Sequence, residues 1–72
     1  MTADREGSIR KRILDATFVV VSRHGRKKLQ LQEVAAEAGV SRPTVYRYFG
    51  GKDGLLEAFA LYEREKGAAV GR

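Results

Sequence analysis

The tightest constraint on the fold is the short connection Gly39-Val40-Ser41 between two amphipathic segments. Gly39 follows an apolar stripe at helical spacing, at the position where a left-handed residue ends a helix. Ser41 is a favoured N-cap for the next helix, so only Val40 separates the two helices. Helices joined by so short a turn must cross steeply, which predicts a helix-turn-helix. The stripe of the first of these helices, about eight residues long, is Leu31, Val34, Ala35 and Ala38.

The helix after Ser41 is short. Pro43 falls at its second position, where a missing N–H costs nothing because the first four N–H groups of a helix have no intrahelical partner. Gly50-Gly51 interrupts the pattern after Phe49. Two turns of helix are unstable alone in water, so we expect this helix to dock through Val45 and Phe49.

A longer helix is predicted to precede this pair, from Ile9 to Arg23, with Ser8 as its N-cap and His24-Gly25 as its end. The β-branched run Phe18–Val21 lies inside the helical pattern, and we therefore reject a strand there. The apolar stripe consists of Ile9, Ile13, Ala16 and Val20.

A fourth helix is predicted from Lys52 to about Lys66, with Leu55, Phe59 and Tyr62 as its stripe. The predicted fold is all-α, a short helical bundle with a homeodomain-like three-helix core, a helix-turn-helix and the start of a fourth helix. Residues 1–8 are expected to form a flexible arm, 9–66 the domain and 67–72 a frayed tail. The expected core is Ile13, Ala16, Val20, Val21, Leu31, Val34, Ala35, Val40, Val45, Phe49, Leu55 and Phe59.

A length of 72 residues allows one small domain. The chain has no cysteine, which excludes disulfides and thiolate metal sites and favours a cytoplasmic location. No apolar run approaches the roughly 18 residues needed to span a bilayer, and no signal peptide is visible. We expect neither a membrane nor a cofactor as a partner.

The positive charge is concentrated in the first two thirds of the chain. Residues 1–52 hold 11 Lys or Arg and five Asp or Glu, whereas residues 53–72 hold three and four. A basic surface of this kind is typical of proteins that bind nucleic acid. Charge alone leaves a solvated basic surface equally possible.

The helix after Ser41 carries large polar side chains where a small core needs aliphatic ones. With Val45 and Phe49 facing inward, the other faces hold Arg42, Thr44, Tyr46, Arg47 and Tyr48. Such a helix fits the major groove of DNA, where Arg bonds guanine, a Thr methyl contacts thymine and Tyr hydroxyls reach phosphates. Burial of either tyrosine ring in the core is an equally good interpretation, and it is compatible with an exposed hydroxyl.

Lys52 begins the fourth helix, where the helix dipole disfavours a cation unless an anion binds there. Phosphate binding is the functional interpretation, and a solvated lysine is the alternative. Gln32 is a candidate for a base edge or a phosphate, and it is as often inert on a helix surface. The clusters Arg10-Lys11-Arg12 and Arg26-Lys27-Lys28 are expected to flank the groove and add affinity that is independent of sequence, or else to be only solvated surface.

The stretches "RILDATFVVVSRHG", "VAAEAGVSRPTVYRYF" and "GKDGLLEAF" resemble, in this order and spacing, the DNA-binding domain of the TetR (tetracycline repressor) family of transcriptional regulators. The resemblance covers about residues 9–62. It implies that the third helix is the recognition helix. The residues implied to contact bases or phosphates are Arg42, Pro43, Thr44, Tyr46, Arg47 and Tyr48, with Lys52 on the DNA backbone and Gln32 in some members on a base.

The resemblance also implies a homodimer that represses transcription at a palindromic double-stranded operator. It implies that a small-molecule effector binds a C-terminal ligand-binding and dimerising domain, which is absent from this chain; we therefore expect a fragment of a longer protein. Three residues depart from the family pattern. Gln30 replaces the usual Ser or Thr cap, Pro43 replaces a small residue, and Gly54 is expected to cost about 1 kcal/mol relative to Ala.

Three other functions compete with sequence-specific DNA binding. An enzyme is disfavoured because the chain has no Cys, one His and no recognisable nucleophile and base. A basic helical module that binds an acidic protein remains an alternative, which discrimination between operator and random DNA would separate. A non-specific or RNA-binding domain is disfavoured because no strand pattern offers exposed aromatic residues on a sheet.

Overall fold

The fold consists of four α-helices and one short 3₁₀ turn, in a computed structural model that describes the backbone of residues 4–70 and the side chains of 7–65. Helix α1 spans Asp4–His24 and is followed by the 3₁₀ turn Arg26–Lys28. The helix-turn-helix consists of α2, Leu31–Ala38, and α3, Arg42–Phe49, and α4 spans Lys52–Val70. The described residues contain no strand, so the all-α prediction is confirmed.

The turn between α2 and α3 forms as its sequence predicts. Gly39 is left-handed, with φ 75° and ψ 30°, and its N–H points back to the carbonyl oxygens of Ala35 and Ala36. The Ser41 side chain accepts a hydrogen bond from the N–H of Thr44 and caps α3. Because both boundaries are fixed by local interactions, α2 and α3 have the predicted ends.

The two long helices are longer than predicted, α1 at its N-terminus and α4 at its C-terminus. α1 begins at Asp4, so residues 4–8 of the predicted arm are helical and Ser8 lies inside the helix rather than at its N-cap. α4 continues to Val70, beyond the predicted end near Lys66. Residues 1–3 of the predicted arm and 71–72 of the predicted tail lie outside the described residues.

The core lies where α1 packs on α2 and α4, and α3 closes it against α2 and α4. Nine of its residues were predicted; Leu14, Leu29 and Ala38 were not part of the expected core and are also buried. Val21, Val40 and Phe49 were expected in the core and are only partly buried at its edge. The buried hydrophobic residues are Ile13, Leu14, Ala16, Val20, Leu29, Leu31, Val34, Ala35, Ala38, Val45, Leu55 and Phe59.

Gly54 allows the first turn of α4 to lie directly against the end of α3. A Cβ atom added at this position would overlap the carbonyl oxygen of Phe49 and lie 3.1 Å from its carbonyl carbon. Helix propensity alone predicts that Ala is better here, and the structure corrects that expectation. The absence of a side chain at Gly54 is a requirement of the α3–α4 junction.

Candidate nucleic-acid interface

Two features hold helix α3 in place: the side chains on its buried face and its N-terminal cap. Val45 is fully buried, and Phe49, one turn later, packs at the edge of the core. At the N-terminus the Ser41 and Thr44 hydroxyls lie 2.8 Å apart, and the Thr44 N–H donates to Ser41 Oγ at 3.3 Å. A docked and capped helix of eight residues presents its outer side in one orientation.

Four of the predicted contact residues of α3 form a continuous exposed arc. Arg42 and Tyr46 are one turn apart, as are Pro43 and Arg47, so the four side chains share the outer face of the helix. Tyr46 is 46% exposed, so its ring is not part of the core. The arc therefore offers two guanidinium groups, a phenol and a proline ring to solvent.

Thr44 and Tyr48 lie on the other flank of α3. Both are half-buried. Tyr48 packs against the core, with its ring centroid 6.5 Å from that of Phe49. The hydroxyl of Thr44 is engaged by Ser41, which leaves its methyl group as the part available for an apolar contact.

Residues from three helices and one connecting segment meet in an open groove of about 320 Å³. Gln32 comes from α2, Arg42 and Tyr46 come from α3, and Lys52 comes from the start of α4. The segment between the 3₁₀ turn and α2 supplies Leu29 and Gln30, and Leu31 completes the lining. The groove thus brings together four of the eight predicted residues, which are separated by up to 20 positions in the sequence.

Gln30 also lines the groove, although it is not among the predicted site residues. It occupies the N-cap position of α2, and its side chain makes no capping hydrogen bond. An exposed amide with no structural task, two residues before Gln32, was the available signal. The groove therefore holds two amides beside one guanidinium and one ammonium group.

The cations of the interface have no carboxylate partner. Within the described side chains, Arg42, Arg47 and Lys52 form no ion pair within 4.0 Å, whereas Arg23 and His24 contact Glu37 and Glu33 of α2 at 3.3 and 3.0 Å. Unpaired cations clustered on one surface create a positive potential there. The acidic residues Glu33 and Glu37 of α2 are instead paired with the end of α1.

Some residues of the two basic clusters, 10–12 and 26–28, make contacts within the fold. The Arg10 guanidinium lies over the Phe49 ring, 5.4 Å from its centroid, and Lys11 pairs with Asp15 at 3.3 Å. Arg26 pairs with Glu63 of α4 at 3.1 Å. Lys11 and Arg26 are thus each paired with a carboxylate of the fold, and the expectation that the clusters flank the groove stays a prediction.

The groups with shifted pKa values link α1 to α4 and do not line the groove. The Tyr62 hydroxyl donates a hydrogen bond to Asp15 Oδ1 at 2.7 Å. This bond, together with burial, raises the pKa of Tyr62. Hydrogen bonding to Asp15 also raises the pKa of Lys11. These three residues join the two long helices.

The groove has the chemistry of a reader of duplex DNA. A guanidinium matches the two major-groove acceptors of guanine, and a carboxamide matches the donor and acceptor of adenine. Lysine and the N–H groups at the start of α4 suit a phosphate. Arg42, Gln32 and Lys52 supply these groups on three different helices.

Comparison with known proteins agrees with this reading. The profile of the bacterial regulatory proteins of the tetR family matches residues 13–59, a span that contains α2, α3 and the start of α4. The chain belongs to the TetR family. Its helix-turn-helix is thus that of a family of DNA-binding transcriptional regulators.

Several similar proteins are named as helix-turn-helix transcriptional repressors or regulators. The chain is 38% identical over 66 residues to the HTH-type transcriptional repressor KstR of Rhodococcus jostii, a match that covers 92% of this chain and 31% of that protein. KstR of Mycolicibacterium smegmatis is 49% identical over 47 residues, 65% of this chain and 23% of that protein. The regulator BetI 2 of Chromohalobacter salexigens is 41% identical over 49 residues, 68% of this chain and 24% of that protein.

The chain spans less than a third of the length of these relatives. No solved structure matches the chain. Within residues 4–70, no helix is both long enough and apolar enough to cross a membrane.

Proposed function

We propose that this TetR-family domain reads double-stranded DNA by placing α3 in the major groove. The observation that carries the proposal is the groove itself, where Gln32, Arg42, Tyr46 and Lys52 converge from three helices. Unpaired cations and free amides in one open groove match a polyanion with hydrogen-bonding base edges.

The eight site residues take different roles in this proposal. Arg42 bonds a guanine and Gln32 a base edge, because both are exposed groove residues with planar hydrogen-bonding groups. Pro43 and the methyl of Thr44 make apolar contacts with thymine. The remaining residues position the helix on the DNA backbone through charge or a hydroxyl; they are Tyr46, Arg47, Tyr48 and Lys52.

The whole protein is proposed to be a cytoplasmic homodimeric repressor rather than an enzyme. Support comes from relatives named transcriptional repressors and from the length of those relatives, which leaves room for a further domain. Because two recognition helices read half-sites one turn of DNA apart, a homodimer pairs with a palindromic operator. Its small-molecule effector would bind outside these 72 residues.

Selection of bound sequences from a random duplex pool by the 72-residue chain tests the DNA-reading proposal. We expect enrichment of one short motif, followed by tighter binding of that motif than of its scrambled version. Binding without enrichment would mark a non-specific basic domain. Failure to bind duplex DNA at all would leave an acidic protein partner as the better account of the basic surface.

A further inference from the structure

The 3₁₀ turn Arg26–Lys28 is anchored at its first residue by α4. Arg26 Nη2 lies 3.1 Å from Glu63 Oε1, and the guanidinium carbon lies 5.9 Å from the centroid of the buried Phe59 ring. An ion pair combined with a contact to an aromatic face restricts a long side chain more than either alone. Arg26 thereby ties the turn to the far end of the core.

The turn is anchored on its other side by Leu29. This residue is 1% exposed, and its N–H donates to the carbonyl oxygen of Arg26 at 3.2 Å. Leu29 is buried, and the Arg26 side chain, although 56% exposed, is directed toward α4 by its contacts with Glu63 and Phe59. The two residues between them, Lys27 and Lys28, are exposed and make no such contact among the described residues. Among residues 7–65, no carboxylate lies within ion-pair distance of either lysine, so two adjacent positive charges are held outward without compensation.

The turn leads directly into the groove. Leu29 and Gln30, which follow Lys28, both line the groove that also holds Arg42 and Lys52. The phosphates of a duplex continue past any contact with bases, at one per roughly 3.4 Å of each strand. A duplex bound in the groove would therefore bring further phosphates to the edge nearest the turn, where positive charge stabilises binding.

We propose that Lys27 and Lys28 form a second phosphate-binding element, and that Arg26 is a positioning residue that holds them beside the groove. This inference rests on the proposed function, because it extends the DNA-binding surface from the helix-turn-helix onto the preceding turn. In this proposal Arg26 packs against α4, whereas Lys27 and Lys28 bind phosphates.

The test is the salt dependence of binding to a fluorescein-labelled random-sequence duplex of about two turns, measured by anisotropy at several KCl concentrations. Each phosphate neutralised contributes about 0.9 to the slope of log K against log salt. We expect the double variant Lys27→Gln/Lys28→Gln to lower that slope by about two. We expect the double variant to fold, because both replaced side chains are exposed. Circular dichroism at the same salt concentrations checks this.

Lys11→Gln is the control for the loss of an exposed lysine away from the groove, and its effect is compared with half of that of the double variant. It removes one positive charge from a lysine that pairs with Asp15 and does not adjoin the groove, so its slope should equal that of the wild type. An unchanged slope for the double lysine variant, with wild-type binding intact, would overturn this inference alone. A wild-type chain that does not bind the duplex would overturn the proposed function as well.

Glu63→Gln tests the positioning role of Arg26. Loss of a negative charge should by itself tighten binding to DNA, whereas release of Arg26 from α4 should loosen the turn. We expect the second effect to dominate and the salt slope to fall. Tighter binding with an unchanged slope would show that Arg26 does not position the two lysines.

Discussion

Gly54 shows how one residue without a side chain allows two helices to meet closely. The site of its missing Cβ is occupied by the carbonyl of Phe49, so α4 starts directly against the end of α3. Replacement by Ala adds about 1 kcal/mol of helix propensity but forces overlap with backbone, which typically costs 1–3 kcal/mol or more. We expect Gly54→Ala to lower the free energy of unfolding in a urea titration.

Gly7→Ala is the matched control, because Gly7 lies in α1 and a Cβ there meets no atom within 4 Å. This second substitution should stabilise the domain by roughly 0.5–1 kcal/mol. If both substitutions stabilise the protein to the same extent, the close approach at Gly54 is not a constraint on the fold.

Tyr62 joins α4 to α1 through its bond to Asp15. Tyr62→Phe should cost about 0.5–1.5 kcal/mol, the usual worth of one hydrogen bond. As a control, Tyr46→Phe should change the unfolding free energy by less than about 0.5 kcal/mol, because Tyr46 is exposed and makes no hydrogen bond within the described residues.

The same bond predicts a dependence of stability on alkaline pH. The folded state raises the pKa of Tyr62 above its ordinary value of 10.0. The contribution of Tyr62 to the free energy of unfolding is therefore complete below pH 10, and it is lost as the pH rises through the raised pKa. Urea titrations between pH 8 and 11 should show a decline of stability that is smaller in Tyr62→Phe. Equal declines in the wild type and in Tyr62→Phe would show that ionisation of Tyr62 does not cause the loss of stability at alkaline pH.

At the scale of elements, the two helices of the helix-turn-helix have unequal caps. Ser41 caps α3 with its side chain, whereas Gln30 at the start of α2 makes no such bond. Ser41→Ala should destabilise the domain by about 0.5–2 kcal/mol, and Gln30→Ser should stabilise it because Glu33 then completes a capping box. Thermal unfolding measures both, and a destabilising Gln30→Ser would contradict the predicted cap.

The sequence predicts the elements whose ends are set by local chemistry. Gly39 and Ser41 determine where α2 ends and α3 begins, and Gly50-Gly51 determines where α3 ends. The start of α1 has no such signal in residues 4–8, and a serine at position 8 suggested a cap that the helix does not use. Leu29 escaped prediction because it follows three cations outside any helical stripe, yet the tertiary fold buries it.

The candidate site is predictable in part for the same reason. Exposure of Arg42, Tyr46 and Arg47 follows from the helical period once Val45 faces the core. That Gln32 and Lys52 line the same groove depends on how α2 and α4 pack around α3, which no spacing in the sequence specifies. The separation of Arg26 from its two lysine neighbours likewise depends on Glu63, 37 positions away.

At the scale of the whole molecule, one copy of the domain is expected to meet one half-site. Its affinity for that half-site at physiological salt should therefore lie only near the tight end of the non-specific range, which runs from roughly 10⁻⁴ to 10⁻⁶ M, with random DNA bound more weakly. Two tethered copies should bind a full palindrome far more tightly, since the second half-site is met at an effective concentration near millimolar. Nanomolar binding of the untethered chain to a single half-site would refute this view of its recognition.

The central claim is that α3 reads sequence while Lys52 holds the backbone. The direct test is a titration of wild type, Arg42→Ala and Lys52→Ala against the selected motif and against its scrambled version at one salt concentration. We predict that Arg42→Ala loses about 1–3 kcal/mol on the motif and much less on the scrambled duplex, whereas Lys52→Ala weakens both about equally. Equal losses on both duplexes for Arg42→Ala would contradict base reading by α3.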